Sequence, residues 1–340
     1  GQTSNKGVEL AFNAIIVEKK NFTLNFTGNI SYNKNKIDKL NTGSEWDTNY
    51  TIPDVNTGQN FRVVEGGSLG EVWGYRLKGY YTAYDAEKNP NGELVWNGKN
   101  WKLRDGLVDK SSTVMGTLAP GSPKLKVDEE GNVVKERLGN TIAPWAGGFG
   151  LNATFYGFDA SVFFNYQIGN KIVNATKLGS SFYHDTRKGY NLNADFVSRY
   201  TNIDPENGLS LANPTTVAGV YGSEANAIAR LNEINANATI YNPVLVSKMY
   251  LTDYAVEGAS FLRLQNLTIG YTLPKNLLKS IFLNNVRFYF TGYNLLTITD
   301  YSGNDPEVDS SSQKSPMSPG VDYASYPKSR LYVFGVNVSF

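Results

Sequence analysis

The sequence predicts an all-β protein, an antiparallel transmembrane β-barrel of which these 340 residues form the C-terminal part. Three observations carry that expectation. Stretches of about ten residues alternate apolar side chains with small or polar ones, the period and length of a barrel strand. The face opposite the apolar one is built from Asn, Thr, Ser and Gly, where a water-exposed soluble sheet would carry more Lys and Glu. The joints between strands alternate strictly between short and very long.

The first strand falls on residues 7–18, with Val8, Leu10, Phe12, Ala14 and Ile16 on one side and Glu9, Ala11 and Asn13 opposite. After the polar turn Lys19 to Asn21, residues 22–33 alternate Phe22, Leu24, Phe26, Ile30 and Tyr32 with Thr23, Asn25, Thr27, Asn29, Ser31 and Asn33. A second pair turns at Gly157. Phe149, Leu151, Ala153 and Phe155 oppose Gly148, Gly150, Asn152 and Thr154; then Phe158, Ala160, Val162, Phe164, Tyr166 and Ile168 oppose Asp159, Ser161, Asn165, Gln167 and Gly169. Phe163 breaks that pattern. In "FLRLQNLTIGYTLP", Leu267, Ile269, Tyr271 and Leu273 oppose Asn266, Thr268, Gly270 and Thr272, and "VRFYFTGYNLLT" is apolar on both faces. The closing strand sets Tyr332, Phe334, Val336, Val338 and Phe340 against Leu331, Val333, Gly335, Asn337 and Ser339.

In a bacterial outer-membrane barrel the short turns are periplasmic and the long loops external. The long joints, about 34–146, 170–259 and 299–327, are then extracellular loops of a multi-pass outer-membrane protein. Counting back from a periplasmic Phe340 places Gly1 outside the cell. Seven crossings with an external start describe a piece of a larger barrel, because a complete one has an even strand number with both termini inside. The strand-like segment 67–81, "GSLGEVWGYRLKGYY", must then be half of a hairpin above the membrane or one of two further crossings. The first is favoured, since Arg76 and Lys78 share a face with Val72 and Tyr80.

Composition excludes several classes. The net charge of +1 supplies no field for nucleic acid. The absence of cysteine removes disulfides and thiolate metal sites. No stretch reaches the roughly 18 apolar residues of a membrane helix. The one histidine, His184 beside Asp185, lacks a second histidine and a Gly-x-Ser-x-Gly context, so a barrel-borne hydrolase has little support. No catalytic, cofactor or metal residues are expected: Asp128 and Gly131 in "KVDEEGNVVKERLGN" do not fill the calcium-loop pattern. The many N-x-[ST] matches are what an alternating polar face produces.

Binding therefore rests on two groups. The lumen wall is assigned to Asn25, Asn29, Asn152, Asp159, Asn165, Gln167 and Asn266. The external loops offer Trp46, Trp96, Trp101, Tyr183 and Tyr190 as rings that stack on a sugar's C–H face or, equally, pack the loops together. Trp145, opening a strand, suits an interfacial girdle. Residues 223–237 read as a helix capped by Ser223, with Ala227, Ile228, Leu231 and Ile234 at helical spacing.

The stretches "NKGVEL", "NISYNKNKI", "LGEVWGYRLKGYY", "YGFDASVFF", "EGASFLRLQNLTIGYTLP", "FTGYNLLTITDYSGNDPEV" and "GVDYASYPKSRLYVFGVNVSF", in that order and spacing, resemble the SusC/RagA group of TonB-linked outer-membrane proteins. The resemblance implies a barrel of about twenty-two strands with an N-terminal plug, absent from this chain, through which TonB acts. It implies import of oligosaccharides or oligopeptides beneath a SusD-like surface lipoprotein, without enzymatic chemistry or a cofactor. It also implies that Phe340 is read by the barrel-assembly machinery, beside its physical role as an anchor in outer-membrane lipid. The alternative is a structural, assembly or adhesion component built on the same barrel.

Overall fold

Seven strands pair in one antiparallel sheet, each with its neighbour in sequence. They are β1 (Gln2–Lys19), β2 (Phe22–Lys39), β3 (Trp145–Phe155), β4 (Phe158–Ile168), β5 (Phe261–Thr272), β6 (Asn285–Thr299) and β7 (Leu331–Ser339). The computed structural model describes residues 1–41, 43–47, 60–90, 95, 101–181, 191–247, 249–279, 282–310, 315 and 317–340. Among them β1 and β7 are the sheet's two edges, so what is seen is an open sheet and not a closed barrel.

All seven expected strands form, and two run longer than their apolar pattern. β1 and β2 each extend over 18 residues, beyond the roughly 9–11 that a tilted strand needs to cross a bilayer. Residues 34–39 were expected in a loop because the apolar face ends at Tyr32. The backbone ladder continues regardless, with Asn35 Nδ2 donating to Asn5 Oδ1 at 3.0 Å, and runs past the fully buried Ile37 to the pairing of Gln2 with Lys39. A strand is held by its backbone partners, and these persist after the lipid-facing side chains stop.

The short joints have the geometry of tight turns. Tyr156 and Gly157 both adopt positive φ, +46° and +89°, the pairing that a two-residue hairpin with the right-handed strand twist requires. The β5–β6 joint carries a helical turn, Lys275–Leu278, that tucks Leu278 into a buried position.

The three long connections, 40–144, 169–260 and 300–330, all leave the other end of the sheet, and the hydrophobic core lies among them. Phe61 and Val72 of the first pack with Val173, Leu178 and Leu251 of the second and Val321 of the third. Short strands tie them together: Val256–Gly258, Lys171–Asn174 and Val321–Asp322 form a three-stranded sheet. The 67–81 segment belongs to this cap and takes no place in the seven-stranded sheet. Its Glu71–Tyr75 strand pairs with Lys135–Asn140 and its Leu77–Tyr80 strand with Pro123–Leu125.

The helix read at 223–237 forms as Glu224–Ile234, and Ser223 Oγ accepts from Asn226 N at 3.1 Å. Ala227, Ile228 and Leu231 are buried as their spacing requires. A helix over Pro214–Tyr221, which the sequence reading did not find, packs beside it. Arg230 grips Asp204 through two 3.0 Å hydrogen bonds, which hold that carboxyl well below the usual carboxylate range.

Candidate functional site

Strand register decides which side chains share a face, and it sorts the sheet cleanly. Across one row, Asn25 of β2 stands opposite Asn152 of β3, then Ser161 of β4, Thr268 of β5 and Thr291 of β6. The next row outward is Thr27, Gly150, Phe163, Asn266 and Tyr293. Beyond it come Asn29, Gly148, Asn165, Arg263 and Thr297, then Ser31, Ala146, Gln167, Phe261 and Thr299. The row nearest the short turns holds Thr23, Thr154, Asp159, Gly270 and Tyr289. All seven residues assigned to the lumen wall thus lie on one face.

That face is knit by polar contacts. The hydroxyls of Thr23 and Thr154 lie 2.6 Å apart, those of Thr268 and Thr291 2.9 Å apart. Asn29 Oδ1 accepts from the Gly148 amide at 2.8 Å. Arg287 clasps Asp159 with Nε to Oδ1 at 2.8 Å and Nη2 to Oδ2 at 2.5 Å. The pair lies over Gly270, where an added Cβ would sit 2.5 Å from the guanidinium. Phe163, the exception in the alternation, is housed the same way: its ring covers Gly148 and Gly150, and a Cβ on Gly148 would come within 2.5 Å of it.

The opposite face is apolar and open. Paired rings line it: Phe12 with Phe26, Phe149 with Phe164, Phe158 with Tyr271, and Phe290 with Phe334. Trp145, proposed for a girdle, is 41 % exposed there and its ring centre lies 4.6 Å from that of Tyr32. A continuous band of this kind exceeds what a soluble monomer leaves uncovered.

At the outer end of the polar face sits an ion cluster that the alternation did not reveal. Arg263, 3 % exposed, meets Asp305, 2 % exposed, at 2.6 Å, and its Nε meets Glu307 at 2.8 Å. Lys328 pairs with Glu307 at 2.8 Å. Burial alone would push the Asp305 carboxyl up. The amides of Glu307 and Lys328 and the Arg263 guanidinium outweigh it and hold the carboxyl below its ordinary value. This clamp draws the 300–330 connection onto the polar face of β5. Arg263 escaped the sequence reading because β5 carries a bulge between Leu264 and Asn266. Alternation counted back from Asn266 assigns Arg263 to the apolar side, and the extra residue reverses that.

The loop aromatics do not converge. Trp46 is 40 % exposed on the short strand Glu45–Asp47. Trp101 is 4 % exposed and packs among Ala83, Ala86, Ala119 and Ile228, so it fills the cap's core and presents no ring to a ligand. Trp96, Tyr183, Tyr190 and the His184–Asp185 pair lie outside the described residues. Asp128 caps its own turn, accepting from the Asn132 amide at 2.7 Å and from its Nδ2 at 3.2 Å. Phe340 follows β7 and is 92 % exposed on the apolar side.

No protein-family model matches the chain. The TonB-dependent receptor P3 of Formosa agariphila is 28% identical over 348 residues, spanning 100% of this chain and 29% of that protein. The TonB-dependent receptor SusC of Bacteroides thetaiotaomicron is 24% identical over 343 residues, again covering all of this chain and 27% of the relative. Among solved structures, the RagAB peptide transporter superposes with a TM-score of 0.64 at 22% identity, covering 99% of this chain and 29% of that one. The RagAB peptide importer in its closed-closed state gives 0.63 at the same identity, covering 99% and 30%. The chain spans less than a third of the length of each. Along its whole length the chain is similar to these TonB-dependent receptors, and its sheet superposes on the fold of the RagAB structures.

Proposed function

We propose that this chain forms part of the wall and the external cap of an outer-membrane importer for oligosaccharides or oligopeptides. The carrying observation is the two-faced sheet. Its apolar face has no protein cover among the described residues, while the hydrophobic core lies in the cap. Hydrocarbon accounts for the first face and a water-filled lumen for the second. The polar rows around Asn25, Asn152 and Asn266 line the passage and the cap receives cargo. In this reading TonB acts through a plug outside these residues, and a SusD-like surface lipoprotein closes over the cap. The chain itself makes and breaks no bonds.

Single cysteines in the full receptor test the wall. A membrane-impermeant maleimide added to cells should label Asn152→Cys through the lumen and leave Leu151→Cys unlabelled. Equal labelling of both, or the reverse order, would sink the assignment of faces. Energised transport is tested separately: cargo uptake should stop when the proton gradient is dissipated. Cargo that binds with no gradient-dependent uptake would favour the adhesion or assembly alternative.

A further inference from the structure

The hairpin of β1 and β2 carries its pairing beyond the last apolar row, and the rows above change character. Val8 stands opposite Tyr32, whose ring meets that of Trp145. One period-two step outward on the same face, Lys6 stands opposite Lys34, and a further step sets Ser4 opposite Lys36. The apolar face of the hairpin therefore ends in lysines directly above its aromatic edge. On the other face the intervening row is neutral, Asn5 opposite Asn35, so the charge is confined to the apolar side.

Like charges directly opposite one another across a ladder repel, at Cβ separations of roughly 4.5–5.5 Å. Lys36 has Asp38 for a partner at 3.7 Å. Lys6 and Lys34 are exposed and form no ion pair among the described residues. Lys34 also lines a recess of about 250 Å³ with Tyr32, Arg137, Ile142 and Pro144. Its charged lining is Lys34 and Arg137, without a carboxylate among the described residues; Glu71, behind it, meets Arg137 at 3.1 Å. The hairpin thus holds two opposed cations beside a recess whose own lining is cationic.

We infer that Lys6, Lys34 and this recess bind the phosphate of an anionic lipid headgroup. The inference rests on reading the apolar face as lipid-facing, and it adds a ligand unconnected with cargo. Phosphate oxygens between the two ammonium groups accept from both, which turns a repulsive cross-strand pair into a chelate. Position favours a lipid over free phosphate. The lysines lie one row above Val8 and Tyr32, so a phosphate held there has its acyl chains running down the apolar rows of the same two strands.

The full receptor in dodecyl maltoside is titrated with dioleoyl phosphatidic acid, and native mass spectrometry reads the lipid-bound fraction. Dioleoyl phosphatidylcholine and inorganic phosphate are the comparison probes. Wild type should prefer phosphatidic acid to the choline lipid, and Lys6→Gln and Lys34→Gln should each weaken its binding about fivefold, the scale of one basic residue at an anionic lipid surface. The pair Lys6→Arg with Lys34→Arg keeps the charge and should keep the affinity. Lys19→Gln, at the short-turn end of the same hairpin, should change nothing. Hydrogen exchange of β1 and β2, unchanged in the double glutamine variant, would show that the ladder is intact. Four results overturn the inference: no preference for phosphatidic acid, affinity indifferent to the glutamine variants, equal loss in Lys19→Gln, or inorganic phosphate bound with the same lysine dependence. All four leave the importer reading standing while Asn152→Cys labels and Leu151→Cys does not. Loss of that labelling pattern would remove the lipid-facing assignment on which both rest.

Discussion

In the cap, Leu231, Val72 and Leu251 are wholly buried among other side chains, whereas in the wall Leu151 and Ile269, on central strands, remain 39 % and 47 % exposed. The same residue types therefore answer to different solvents. Cap leucines gain by leaving water for protein, which is the ordinary hydrophobic term. On the importer reading the leucines of the sheet enter lipid, and a lipid tail is as apolar as a leucine, so tight packing between them adds little. What holds the wall is its backbone ladder, supplemented on the wet side by pairs such as Asp159 with Arg287. The cap is held by volume and shape. The wall is held by register.

That contrast can be broken in order of expected effect. Leu231→Ala should destabilise the cap by about 2–5 kcal/mol, the cost of a cavity in a packed core. Hydrogen exchange across the Pro214–Ile234 helices would read it, and Leu151→Ala in the wall should leave exchange in β3 nearly unchanged. Asp305→Ala should cost about 3 kcal/mol, near the low end for stranding a buried charge, because Glu307 still faces Arg263. Limited proteolysis within 300–330 should rise while the wall strands stay protected. Leu151→Arg should cost about 2–4 kcal/mol if that position sits near the bilayer centre, against about 0–1 kcal/mol for Asn152→Arg on the wet face. Folding into lipid vesicles measures both. Ser223→Ala should remove about 1 kcal/mol through the lost cap of its helix.

The gentlest test is acid. The Asp305 carboxyl is held below its ordinary value in the folded chain, so its contribution is fully present above the unfolded pKa of about 4 and is lost as pH falls through the folded one. Protection of the 300–330 connection should therefore be flat from neutrality to about pH 4 and fall below it. Loss of protection between pH 7 and 5 would show that another group controls the clamp.

The wall was legible because period-two alternation survives any tertiary context: Asn25, Asn152 and Asn266 reach one face whichever strands lie beside them. Legibility failed at the bulges. Between Leu264 and Asn266 a single unpaired residue shifts the phase, and Arg263 changes sides without any change in composition. It also failed where the side-chain signal stopped before the ladder did, as at Asn33 to Lys39. The cap was legible only in its self-contained pieces. Ser223 and the 227, 228, 231 spacing announce a helix locally, while burial of Phe61 against Val173 and Val321 depends on chain segments more than a hundred residues apart. Trp101 shows the same limit, since a ring in a polar loop and a ring in a small core read alike until its neighbours are known.

The extra residue in β5 makes the strand a two-part instrument. Deleting Gln265 would remove the bulge and restore plain alternation, in which Arg263, two places from Asn266, keeps its side. The ion cluster of Arg263 with Asp305 and Glu307 should survive that deletion, whereas straightening the bulge with Gln265 kept in the ladder would turn Arg263 to the apolar face. Phase, as much as composition, sets which solvent a side chain of this sheet meets.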